Sequence, residues 1–185
     1  HSTQIQGFAK IPFDNLYSRK IFYSVIKNNN FNPEKTVVLA PDIGSAKMSQ
    51  SYAKTLGMHF ALIEKRRFAP NQAEVNHLIG NLDSLDVLII DDMVDTAGTT
   101  VSAADAAIAK GANSVTVVAT HGVLSGPAVQ RLNESVIDKL IVTDTILIPE
   151  EKQIEKIETV SAAGLFAEAI SRVHDGESLS ALFEF

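Results

Sequence analysis

The stretch Asp91-Asp-Met-Val-Asp-Thr-Ala-Gly-Thr99 gathers residue types that together could hold a phosphorylated ligand. It follows the apolar run Val87-Leu-Ile-Ile90 and leads into the Ala-rich segment Thr99–Lys110, so it reads as a buried strand, a short loop and a helix. A loop feeding a helix N-terminus offers free backbone N–H groups and the positive end of the helix dipole, which suit an anion. Gly98 lets the backbone approach that anion closely, and Thr96 and Thr99 add hydroxyl donors beside Asp95. Asp91 and Asp92 would repel a phosphate, but each carboxylate accepts two hydroxyl hydrogen bonds well. Vicinal hydroxyls at one end and phosphate at the other describe a ribose 5-phosphate. The competing reading makes Asp91 and Asp92 metal ligands or a capping cluster and Gly98 an ordinary turn.

Two other groups carry chemistry. Glu64-Lys-Arg-Arg-Phe-Ala-Pro70 reads as a loop after a strand, and its three adjacent cations suit a highly charged polyphosphate; the plain alternative is a solvated charge run. Asp42 stands just past the apolar run Thr36–Ala40, where an oxygen ligand suits magnesium, and where Asp equally serves as a helix N-cap. Ser45 adds a hydroxyl nearby. His59 and His77 read as surface or satisfied histidines.

The elements that must position these residues alternate regularly. Strands are expected at Thr36–Ala40, Phe60–Ile63, Val87–Ile90, Val115–Ala119 and Leu140–Val142. Helices are expected at Ala46–Leu56 with Gly57 at C′, Thr99–Lys110 with Gly111 at C′, Pro127–Leu132 and Gly164–Val173. Ile21, Phe22, Val25 and Ile26 follow Asp14 and Ser18 as a further helical spacing that Asn28-Asn-Asn30 stops, and Gln4–Phe8 reads as extended. Val75–Ile79 fits a helical turn or a short strand. Strands without polar alternation are buried on both faces, the mark of a parallel sheet. The expected fold is therefore α/β: a doubly wound, mainly parallel sheet of about five strands flanked by helices, in one domain over residues 1–185.

Composition narrows the function classes. With 16 Lys+Arg against 22 Asp+Glu, the 185-residue chain has a net charge of −6 and offers no basic stripe for nucleic acid. No apolar run is long enough for a membrane-spanning helix. There is no cysteine, which excludes thiol nucleophiles, zinc–thiolate sites and disulfides and fits a cytoplasmic protein.

Asp91–Thr99 resembles the phosphoribosyl pyrophosphate motif of type I phosphoribosyltransferase folds. His1–Phe8, Ile11–Tyr17, Pro41-Asp-Ile-Gly44, Thr120-His-Gly122, Ser125-Gly-Pro-Ala128 and His174–Phe183 narrow the likeness to the ribose-phosphate pyrophosphokinases, over nearly the whole chain. The resemblance implies transfer of the diphosphoryl group of ATP to ribose 5-phosphate, with Mg2+, giving phosphoribosyl pyrophosphate and AMP. It implies Lys65 as the catalytic lysine, Arg67 as a substrate-contacting arginine, the Asp91, Asp92, Asp95, Thr96, Ala97, Gly98 and Thr99 segment as the ribose-phosphate site, and a magnesium shared by His1 and Asp42. Ser178 and Ser180 match a regulatory phosphate or ADP region, or else a packed C-terminal tail anchored by Leu179, Leu182 and Phe183. Such enzymes have two similar halves, and the chain matches the second, which implies a fragment inactive alone and a homo-oligomer, a hexamer of dimers, for the full-length enzyme. Where the family shows two glycines, the chain has Gly44 and Ser45. The rival readings are a phosphoribosyltransferase and a non-catalytic regulatory homologue.

Overall fold

The computed structural model describes residues 2–66 and 75–183. In chain order they form α1 (Arg19–Asn28), β1 (Thr36–Ala40), α2 (Ala46–Leu56), β2 (His59–Arg66), β3 (Val75–Ile79), β4 (Asp86–Val94), α3 (Gly98–Ala109), β5 (Ser114–Gly122), α4 (Ala128–Glu134), β6 (Lys139–Thr143), β7 (Ile157–Val160) and α5 (Ala163–His174). The described residues part into two compact units, one within residues 31–160 and one made of residues from 2–30 and 161–183.

The larger unit is a seven-stranded sheet in the order β3-β2-β1-β4-β5-β6-β7, rather than about five strands. All neighbours are parallel except β2 and β3, which pair antiparallel with Lys65 opposite Asn76. Val75–Ile79 is thus a strand. β7 is the strand that sequence periodicity misses: Ile157-Glu-Thr-Val160 is short and nowhere fully buried, as befits a sheet edge. β1 is buried at every residue, as expected for a central parallel strand. Val37, Leu39, Val87, Ile89, Val115, Val117, Leu140 and Val142 form one face of the core with Ala103, Ala104 and Ala107 of α3 and Ala128 and Leu132 of α4. α2 packs on β1, β2 and β4, and its buried Tyr52 and Ala53 stand outside that cluster, so the sheet carries helices on both faces. Burying a Val, Leu or Ile side chain contributes roughly 1.5–3 kcal/mol, so these faces dominate the stability of the unit.

Helix ends follow local chemistry. α2 stops at Gly57, whose φ of 67° is left-handed. Past α3, Gly111 has a φ of 89°, and a Cβ there would lie 2.5 Å from Asp83 Oδ1. Pro127 is the N-cap of α4 rather than its first residue.

In the smaller unit, Leu165, Ala169 and Leu182 are buried with Leu16, Ile21 and Leu179 against them. Lys20 Nζ reaches Glu168 Oε2 at 3.1 Å, linking α1 to α5. Thr3–Phe8 is a 3₁₀ turn, not an extended segment: with no strand to pair with, its backbone satisfies itself locally, as in the Ile5 N–H bond to the Ser2 carbonyl.

Candidate functional site

After β1 the chain turns towards β2 on one side, while β4 and the later strands lie on the other. The order therefore reverses between β1 and β4, and in open α/β sheets ligands bind outside the carboxyl ends of the strands at such a point. The β1 end carries Asp42 and Ser45; the β4 end carries Asp91, Asp92 and the loop to α3.

At the first end, Asp42 Oδ1 accepts the Ser45 N–H at 2.9 Å, and Ser45 Oγ donates back to the Asp42 carbonyl at 3.0 Å. A Cβ on Gly44 would stand 3.3 Å from Asp42 Oδ1, so the glycine keeps that carboxylate open. Asp42 thus steadies the turn into α2 with one oxygen.

At the second end the strand runs further than expected. Pairing with β5 continues through Asp91 opposite Ala119 and Met93 opposite His121, so Asp91 and Asp92 are strand residues and the loop begins at Asp95. The Asp91 carboxyl is pushed up to about 7, chiefly by burial; the Asp92 N–H lowers it and the Asp92 and Asp42 carboxylates raise it. Asp91 and Asp42 are therefore within electrostatic reach of each other, as expected for one acidic site.

The loop is an anion nest in form. The Val94 carbonyl accepts the Val123 and Leu124 N–H groups at 3.0 and 3.1 Å, the Asp95 carbonyl accepts the Ser125 N–H at 3.0 Å, and the Thr96 carbonyl accepts Arg131 Nη1 at 2.9 Å. In a trans peptide the N–H points opposite to the carbonyl before it. The N–H groups of Asp95 and Thr96 consequently face away from the β5–α4 connection and that of Ala97 away from Arg131 of α4, and none has a partner among the described residues. Ala97 has φ 60° and ψ 6°, a left-handed conformation in a non-glycine residue that is also nearly fully buried. Successive N–H groups turned by one such residue form a concavity for anions, here opening on the N-terminus of the 12-residue α3.

One neighbouring network joins His121 of the Thr120-His-Gly122 stretch to two threonines that no sequence pattern ties to it. Thr143 Oγ1 lies 2.6 Å from the Thr120 carbonyl, which can only accept, so Thr143 donates there. Thr145 Oγ1, 2.7 Å from Thr143 Oγ1, then donates to it, and His121 Nδ1, 2.8 Å from Thr145 Oγ1, donates in turn. This chain places the proton of a neutral His121 on Nδ1 and leaves Nε2 as an acceptor. Burial lowers the His121 pKa, against the pull of Asp92. The available signal was its place at the carboxyl end of a parallel strand.

Lys65 and Glu64 lie in β2, not in a loop, because pairing with β3 carries that strand through Arg66. Arg67 and His1 lie outside the described residues. Ser178 and Ser180 belong to the smaller unit, where Ser178 Oγ accepts the Ser180 N–H at 3.1 Å and bonds Ser180 Oγ at 3.0 Å.

Comparison with known proteins decides the family. Residues 67–184 match the family described as phosphoribosyl synthetase-associated domain. The chain belongs to that family. The ribose-phosphate pyrophosphokinase of Chlorobaculum tepidum is 46% identical over 184 residues, spanning all of this chain and 56% of that protein. The crystal structure of phosphoribosylpyrophosphate synthetase from Mycobacterium smegmatis superposes with a TM-score of 0.85 at 35% identity, over 95% of this chain and 56% of the other. The chain thus spans a little over half the length of the relatives it matches. An APRTase from Giardia lamblia, at TM-score 0.52 and 15% identity over 77% of this chain and 76% of that one, shares the fold. The expected phosphoribosyltransferase-like α/β architecture is borne out.

Proposed function

We propose that this chain is the C-terminal half of a two-domain ribose-phosphate diphosphokinase, the part that binds ribose 5-phosphate and brings its anomeric hydroxyl to the β-phosphorus of ATP. The observation that carries the reading is the set of unpaired N–H groups of Asp95, Thr96 and Ala97 at the start of α3, directly after the Asp91–Asp92 pair. The 5-phosphate accepts those N–H groups and the hydroxyls of Thr96 and Thr99. The ribose hydroxyls donate to the carboxylates of Asp91 and Asp92. Lys65 and Arg67 offset the charge that develops on the transferred diphosphoryl group, where phosphoryl transfer finds most of its rate.

Magnesium fits the residues present. The donors at the strand ends are hard carboxylate oxygens, and Asp91 resists ionising chiefly because it is buried and further because Asp92 and Asp42 lie near, both of which a divalent cation offsets. Asp42, with His1 by family resemblance, would hold it, and it would neutralise triphosphate oxygens. No helix among the described residues is long and apolar enough to cross a membrane.

Calorimetric titration of the 185-residue chain tests the reading. Ribose 5-phosphate binds with one site per chain, and inorganic phosphate competes for it. A chain that binds neither overturns the assignment.

A further inference from the structure

We propose that Arg131 is a positioning residue for the ribose-phosphate site: its guanidinium holds the Thr96 carbonyl and so aims the Ala97 N–H into the anion nest. The inference rests on the phosphate reading of that loop and adds a residue that lies 35 positions away in sequence and on another helix.

The carbonyls of Val94, Asp95 and Thr96 are held by groups from outside the loop. Ala97 sits in a left-handed conformation that is unfavourable for an L-residue with a Cβ, and rotation of its peptide group would relieve it. Two of the three relevant carbonyls are held by backbone donors, those of Val94 and Asp95, through Val123, Leu124 and Ser125. The third, that of Thr96, is the peptide immediately before Ala97, and its partner is a side chain, Arg131 Nη1 at 2.9 Å. Arg131 projects from α4, whose Ala128 and Leu132 are buried in the sheet's core, so the donor is mounted on a fixed element. The same guanidinium comes within 3.4 Å of where a Gly98 Cβ would be, so it lies directly against the loop. The donating segment is itself braced: Leu124 has a left-handed φ of 51°, and Lys152 Nζ donates to its carbonyl at 2.9 Å. A guanidinium suits this task because its planar fork loses little freedom per hydrogen bond formed.

A positioning role and a purely electrostatic one separate by substitution. Arg131→Met removes the donor and the charge; Arg131→Lys keeps the charge without the fork. In the 185-residue chain, ribose 5-phosphate titration is expected to show at least a tenfold loss for Arg131→Met and a partial return for Arg131→Lys. Backbone 15N relaxation on the ligand-free variants reads the loop itself: Thr96, Ala97 and Gly98 become more mobile in Arg131→Met while the amides of β4 and β5 stay as in wild type. Unchanged loop relaxation together with unchanged affinity overturns the proposal. So does full recovery of affinity in Arg131→Lys with the loop still mobile, since charge alone would then account for the effect. Should wild-type chain bind neither ribose 5-phosphate nor inorganic phosphate, the phosphate reading fails, and the relaxation of Thr96–Gly98 alone decides whether Arg131 orders the loop.

Discussion

The backbone N–H of Asp92 donates to Oδ1 of its neighbour Asp91 at 2.9 Å, and this single bond is outweighed by the burial of the carboxyl that receives it. The folded-state pKa of Asp91, about 7, lies above its unfolded value near 4. Its contribution to stability is therefore fully present below the unfolded value and is lost as the pH rises through about 7. Asp91→Asn in ligand-free protein should raise the melting temperature at about pH 8 and by much less at about pH 5. The same variant should bind ribose 5-phosphate more weakly at both. A melting-temperature difference independent of pH would show that Asp91 ionises as freely as a surface carboxylate.

Gly98 offers a graded test of the loop. A Cβ there meets Arg131 Nη1 at 3.4 Å and Thr96 Oγ1 at 3.8 Å, ordinary contact distances, and the position is helical. Gly98→Ala should fold with a melting temperature near wild type. Gly98→Val adds two methyl groups in the same space, so it should press on the guanidinium and the phosphate and cut ribose 5-phosphate affinity about tenfold or more, as loss of charge-assisted hydrogen bonds worth roughly 1.5–3 kcal/mol implies. Wild-type affinity in Gly98→Val would place the phosphate elsewhere.

The His121–Thr145–Thr143 chain predicts a tautomer. Imidazole 15N shifts should show neutral His121 protonated on Nδ1 in wild type and more mixed in Thr143→Val, which leaves the Thr145 hydroxyl only the Thr120 carbonyl, at 3.4 Å, as acceptor. Thr143 is fully buried, so the lost donor to the Thr120 carbonyl should also cost about 1–3 kcal/mol in chemical denaturation. Thr143→Ser, which keeps the hydroxyl, should restore the tautomer. An Nε2-protonated ring in wild type would contradict the direction of the chain.

The isolated chain should form little or no AMP from ATP and ribose 5-phosphate with magnesium, and should gain activity when mixed with the missing half. Loose positioning of the β-phosphorus forfeits most of the rate that an ordered site supplies. In the complete enzyme Lys65→Ala should lower kcat and kcat/KM together, by on the order of a hundredfold, while ribose 5-phosphate affinity stays close to wild type. A raised KM at normal kcat would make Lys65 a binding residue alone. Full activity from the isolated chain would remove the reading of it as half an enzyme.

What the amino-acid order alone determined are the features whose cause lies within a few residues. The apolar run of β1, the left-handed stop of α2 at Gly57, the strand–loop–helix passage from Val87 to Lys110 and the parallel α/β class follow from periodicity and turn chemistry over short spans. Tertiary pairing decided the rest. Glu64, Lys65 and Arg66 read as a charged loop, yet the β3 partner across from them makes them strand. Asp91 and Asp92 read as the end of a strand, yet β5 continues the ladder past both. β7, with Glu158 in the middle of four residues, acquires its identity only from β6 beside it. The bond from Arg131 to Thr96 and the relay from His121 to Thr143 join residues with no periodic relation in sequence. They meet because parallel register lines up the carboxyl ends of β4, β5 and β6, and that register is set by side chains packing across the whole sheet.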